Sequence, residues 1–180
     1  MKPIFCIVLI LISAQSIAFA GSAQHKPSAK TATADQVSAF QRAHGPQGTV
    51  DWLFKSGAWE SSLLPGVKAA QPDWLELVRT LHPSADAGAG EDLDAALAQA
   101  LLKDPYRVLP LLKEFWWSQS DTACTFDYDS ELPGGVQQYV QRLRVALERT
   151  PPAQIVHLRE ACIRGINATL LALRKNAPQG

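Results

Sequence analysis

Apolar residues recur along this chain at spacings of three and four, and no stretch alternates apolar with polar residues for long enough to read as a strand. Thr33 and Gln36 have the spacing of a capping box, which predicts a short helix through Val37 and Phe40 that stops near Gly45-Pro46. Thr49 is expected to cap a second segment carrying Val50, Trp52, Leu53 and Phe54, then Trp59, Leu63 and Leu64, with breaks at Gly57 and at Pro65-Gly66. Pro72 and Asp73 suit the first turn of a helix whose face is Trp74, Leu75, Leu77, Val78 and Leu81, ending at His82-Pro83. Small residues from Ser84 to Gly90 read as a loop. In the next helix Glu91, Asp92 and Asp94 are expected in the first turn, where the dipole favours acids, with Leu93, Leu97, Ala100 and Leu101 as its stripe.

Asp104-Pro105 pairs a capping residue with a proline at the first helical position, opening a helix through Val108, Leu109, Leu111, Leu112 and Phe115 with a kink at Pro110. Ser118 to Gly135 forms the longest loop. Val136, Val140, Leu143 and Leu147 then space a helix that ends before Pro151-Pro152, and the last helix carries Ile155, Leu158, Cys162, Ile166, Leu170 and Leu173. Ala161, Gly165 and Ala168 give that last helix a small-residue face for close approach. Leu97, Ala100, Leu101, Lys103, Pro105 and Leu109 align with Leu143, Ala146, Leu147, Arg149, Pro151 and Ile155 at an offset of 46 positions, so helix, proline break and helix occur twice. The fold class that follows is all-α: a compact bundle of about seven to eight helices stacked as helical hairpins. At 180 residues the chain is long enough to bury a core without help from metals.

The first 20 residues stand apart. Lys2 supplies a positive start, Ile4 to Ile12 are an unbroken apolar run, and Ala18-Phe19-Ala20 before Gly21 is a small-residue cleavage pattern. Residues 1–20 therefore read as a signal peptide, 21–33 as a flexible leader poor in large apolar residues, and 34–176 as a single helical domain. The expected location is periplasmic or secreted, with no membrane span in the mature chain. Export leaves Cys124 and Cys162, and an even count in an oxidising compartment predicts a disulfide between them. A free Cys162 thiol served by His157 is the alternative, weakened because five residues of helix turn the two onto different faces.

Charge changes the picture of partners. The whole chain balances 17 Lys and Arg against 17 Asp and Glu, and the mature chain, with one base fewer, carries −1, which argues against nucleic acid. The distribution is uneven: residues 84–131 hold three bases and ten acids, while residues 132–180 hold seven bases and two acids. The acidic middle either steers a partner with a basic surface or complements the basic C-terminal helices.

Within that middle, Phe115-Trp116-Trp117 cannot all enter one core, because consecutive helical residues point about 100° apart. An exposed tryptophan there would anchor an interface. The candidate binding residues are accordingly Trp116 and Trp117 with Asp121, Asp127, Asp129 and Glu131, and the partner class is a periplasmic protein with a basic surface. Asp127, Asp129 and Glu131 alternate as calcium ligands can, but no EF-hand glycine or distal glutamate accompanies them, so a solvated acidic loop is the reading. His25, His44, His82 and His157 include no pair at i, i+4, and no metal or other cofactor is expected. Glu60, Glu91 and Glu114 are candidate general acids by residue type alone.

Trp74-Leu75-Glu76-Leu77-Val78, Asp86-Ala87-Gly88, Glu91-Asp92-Leu93, Ala95 to Leu101 and Pro105-Tyr106-Arg107-Val108-Leu109 together resemble a group of small exported α-helical proteins of proteobacteria of unassigned function. The resemblance spans roughly 40 residues of helix-packing and capping positions. It implies a periplasmic all-α protein and carries over no catalytic residue. The expectation is thus an exported, non-enzymatic protein-binding module such as an inhibitor, immunity-type or adaptor protein. The alternatives are an envelope enzyme acting on peptidoglycan or another glycan, and a structural helical protein without a specific ligand.

Overall fold

Caps and prolines set the order of elements. A computed structural model describes residues 31–116, 124, 132 and 134–176, and among them seven α-helices and no strand occur. Helix α1 (Ala34–Ser56) starts at the Thr33–Gln36 capping box, in which the Gln36 N–H donates to Thr33 Oγ1 at 3.3 Å and the Thr33 N–H to Gln36 Oε1 at 3.0 Å. Residues 31–33, expected in the leader, already belong to the fold: the Ala32 N–H donates to Ser62 Oγ at 2.8 Å. Gly45 breaks α1 with φ of 73°, a conformation that suits a residue without Cβ, and Pro46 restarts the helix. Thr49 is no cap but lies inside that second half, its hydroxyl donating to the Gly45 carbonyl at 2.7 Å.

A left-handed Gly57 ends α1, a π-helical turn (Trp59–Leu63) follows, and α2 (Leu64–Lys68) continues from it. Pro65-Gly66, expected to interrupt, instead lies within α2. Pro65 occupies the first turn, where its missing N–H costs nothing, and Gly66 is buried against the Trp74 ring of α3 (Pro72–Leu81). A 3-10 turn (His82–Ser84) leads to α4 (Ala87–Lys103). The small-residue loop is shorter than expected because Asp86 caps this helix, its Oδ1 accepting from the Ala89 N–H at 3.0 Å. Glu91, Asp92 and Asp94 consequently fall beyond the first turn.

Helix α4 lies at the centre. Leu93 to Ala98 are six consecutive buried residues, and the helix packs on α2, on α5 (Pro105–Trp116) and on α6 (Gly135–Ala146). Its alanines at 95, 96, 98 and 100 let these neighbours approach closely on several sides. Helix α5 runs through Pro110 as one element, and α7 (Val156–Asn176) follows a 3-10 turn at Ala153–Ile155. The pairings α4 with α5, α6 with α7, α4 with α6 and α5 with α7 describe two stacked hairpins, as the 46-residue echo implies.

Polar bonds tie one hairpin to the other where helices end and leave carbonyls without intrahelical donors. The single Tyr106 Oη proton is shared between the carbonyls of Leu147, at 2.9 Å, and Arg149, and within the second hairpin Arg159 Nε donates to the same Leu147 O at 2.8 Å. The Arg149 guanidinium reaches back to Lys103 O at 3.0 Å, so two positions equivalent in the echo touch. The Cys124–Cys162 disulfide pins the segment after α5 to α7, with both cysteines buried. No nucleophilic thiol remains there, which removes the His157-assisted alternative.

Two stability outcomes follow. A methyl group at Gly66 would overlap the buried Trp74 ring, so Gly66→Ala should cost about 1 to 3 kcal/mol in urea unfolding. An unchanged midpoint would mean that α2 and α3 can separate freely. Replacing Cys124 and Cys162 by serine opens a loop of 38 residues and should cost about 4 kcal/mol in the chain-entropy account. A difference below about 1 kcal/mol would place the bridge's role outside folding.

Candidate functional site

Several carboxylates of the first two-thirds of the chain serve the fold. Asp92 accepts from the indole N–H of fully buried Trp59 at 2.9 Å, satisfying a donor that would otherwise be lost in the core. Asp94 is buried on α4 and meets His82 Nε2 at 3.0 Å, a contact between the 3-10 turn and the central helix. Burial lifts the Asp94 carboxyl above the usual carboxylate range, and Glu91 adds to the rise while His82 pulls against it. Asp104 accepts from the Arg107 N–H at 3.2 Å. Glu114 pairs with Arg79, which also reaches Glu76 at 3.1 Å. Of the three candidate general acids, Glu114 is therefore in an ion-pair network, and Glu60 and Glu91 are exposed on the π turn and on α4.

Trp117, Asp121, Asp127, Asp129 and Glu131 lie outside the described residues, as does the side chain of Trp116, the last residue of α5. Ion pairs among the described residues join Arg79 to Glu76 and Glu114, His82 to Asp94, and Arg107 to Asp104; none reaches α6 or α7.

The second hairpin carries a surface of a different kind. Five large apolar side chains are exposed among the described residues, and four of them, Val145, Val156, Leu171 and Leu173, belong to α6 and α7. Val145 is 64% exposed, Leu171 55% and Leu173 37%. Two open grooves flank α6. One, of about 360 Å³, is lined by Gln137, Gln141 and Arg144 of α6 and by Leu170, Leu173 and Arg174 of α7. The other, of about 520 Å³, is lined by Leu102 at the end of α4 and by Arg142, Val145, Ala146 and Arg149 of α6. Among the described residues, the only ionisable side chains lining either groove are arginines.

Sequence pattern misses this surface for a definable reason. Leu170 and Leu173 continue the buried stripe of α7 in register, but Ile166 is the last fully buried residue on it: Leu170 packs half-buried against the core and Leu173 is exposed. The signal available was the excess of bases in residues 132–180 together with Val145, an apolar residue off its helix's stripe. The His82–Asp94 contact is likewise illegible, since each residue suits a helix-end role by itself. Comparison of the chain with protein-family models, with curated proteins and with solved structures finds no match.

The buried carboxyl gives a pH dependence with a fixed sign. A folded-state value raised above the unfolded one contributes stability at low pH that is lost as pH rises through the folded value. With His82→Gln in both chains, so that the imidazole does not titrate alongside, the Asp94 protein should lose stability relative to its Asp94→Asn counterpart as pH rises above the ordinary carboxylate range. A urea-unfolding difference that stays flat or moves the other way would place Asp94 in a solvated setting.

Proposed function

We propose that the protein is an exported, non-enzymatic protein-binding module, of the inhibitor, immunity-type or adaptor kind. The observation that carries the reading is the concentration of exposed apolar side chains and arginines on the last hairpin, α6 with α7. Two of these apolar side chains, Leu173 and Val145, each line a groove together with arginines, and an apolar groove with a charged rim is the kind of place that another chain covers. Arginine suits that role, since its planar fork bonds carboxylates while its stem packs on apolar groups.

Export is supported by the pattern of residues 1–20 and by the Cys124–Cys162 bridge, which persists in oxidising compartments. We assign the periplasm. No helix among the described residues is long and apolar enough to cross a membrane. A glycan-cleaving role draws less support, because Glu114 is engaged by Arg79, and Glu60 and Glu91 lie exposed, without the apolar surroundings that raise a catalytic acid.

Photo-cross-linking in intact cells tests the reading. A benzophenone amino acid at Val145 or Leu173 should give one discrete adduct with a second protein, and the same group at exposed Asp51 on α1 should not. Failure to form an adduct at either hairpin position, or equal adducts at all three, would remove the binding surface.

A further inference from the structure

The geometry points to the partner's chemistry, and we propose that the groove between α6 and α7 docks an amphipathic helix whose apolar residues are flanked by carboxylates. This rests on the protein-binding reading and specifies both where the partner sits and what charge it carries. Gln137, Gln141 and Arg144 stand at i, i+4 and i+7, so they form one wall along α6; Leu170, Leu173 and Arg174, at i, i+3 and i+4, form the other along α7. The α6 wall is about 10 Å long, two helical turns. Two helices side by side with an open trough of about 360 Å³ between them provide the seat that a third helix takes in a bundle.

Leucines at two positions of the trough select an apolar stripe in the occupant, and the glutamines opposite can bond its backbone ends or polar flank. The charge is decided by Arg144 and Arg174, one on each wall, with no acid among the described residues that line the trough. Around it residues 134–176 hold seven bases and two acids, and the second groove adds Arg142 and Arg149 on the far side of α6. A carboxylate-flanked helix would meet favourable charge on both sides, with Arg–carboxylate bonds at the rim. A second copy of this chain docked through the same face by a two-fold axis would set arginine against arginine. A lipid surface fits less well, since Leu170 and Leu173 line a concave trough rather than a projecting face.

The test uses the mature protein and two fluorescein-labelled helical peptides. Both carry leucines at i, i+3, i+4 and i+7, with glutamates elsewhere in one and lysines elsewhere in the other. Fluorescence anisotropy should show binding of the glutamate peptide, weakened by salt, and at least about tenfold preference over the lysine peptide. Arg144→Glu with Arg174→Glu should invert that preference, and Leu173→Ser should weaken binding without inverting it. Inversion is a readout that loss of folding cannot produce. Equal binding of the two peptides, or a preference unmoved by the charge reversal, overturns the proposal. Sedimentation with phosphatidylglycerol vesicles in place of peptide binding, or a dimer abolished by Leu173→Ser, overturns it in favour of a lipid surface or a second copy. Binding of neither peptide, with the Leu173 cross-link still formed in cells, overturns the acidic helix alone and leaves the binding module standing. Absence of that cross-link removes the module as well.

Discussion

Burial of α4 on several sides at once is the constraint from which the other elements take their places. A helix that shows water only a narrow strip must be covered by neighbours at close range, and alanine at 95, 96, 98 and 100 lets them come near. Helix α2 covers one side, and α5 and α6 cover others. The close approach is repeated at Gly66, where α2 leaves room for the Trp74 ring of α3. Such a centre leaves no free space for polar groups, so each one that enters it needs a partner. Trp59 finds Asp92 and Asp94 finds His82, which ties two sides of α4 to the N-terminal elements. Charged residues on a central helix therefore report packing first, and their role is to let that helix be surrounded.

The two hairpins α4–α5 and α6–α7 share a design, visible where they touch. In each, the end of the first helix exposes carbonyls that only another element can satisfy. Tyr106 and Arg159 converge on Leu147 O, and Arg149 answers on Lys103 O. The Tyr106 and Arg149 bonds, which cross between the hairpins, fix the stacking register, because a shift of one residue would carry each donor about 1.5 Å along the helix and out of reach. The disulfide acts on the same hairpin by holding residue 124 against buried Cys162 of α7.

Much of this was legible in the sequence, and the misreadings share a cause. Local signals read correctly: the Thr33–Gln36 box, Pro72 at a helix start, the Asp104-Pro105 junction and the facing of Cys162. Glycine and proline misled where tertiary packing reversed their usual meaning. Gly66 is a place of contact rather than a break, and Gly88 and Gly90 lie inside α4 because the Asp86 cap and buried Ala89 outweigh their poor propensity. Thr49 looked like a cap because its hydroxyl bonds backbone in either role. Pairings such as His82 with Asp94, 12 residues apart, depend on how a turn folds back and leave no periodic trace. The sequence candidates at Trp116, Trp117, Asp121, Asp127, Asp129 and Glu131 fall outside the described residues or, for Trp116, have an undescribed side chain, and the surface on α6 and α7 is a separate one.

That separate surface follows from how a stack of hairpins ends. Each hairpin buries one face against its predecessor and offers the other to its successor, so the last must either turn polar on its outer side or meet something else. Helix α6 keeps Val145 exposed between Arg142 and Arg149, and on α7 the stripe passes from half-buried Leu170, which packs on the core, to exposed Leu173. A purely solubilising end would replace Val145 and Leu173 at little cost, since both are exposed. Arginines beside them leave the apolar area open and favour negative charge next to it. The end of the stack is thereby built to the same rule as its middle: apolar residues at helical spacing that wait for a neighbouring helix.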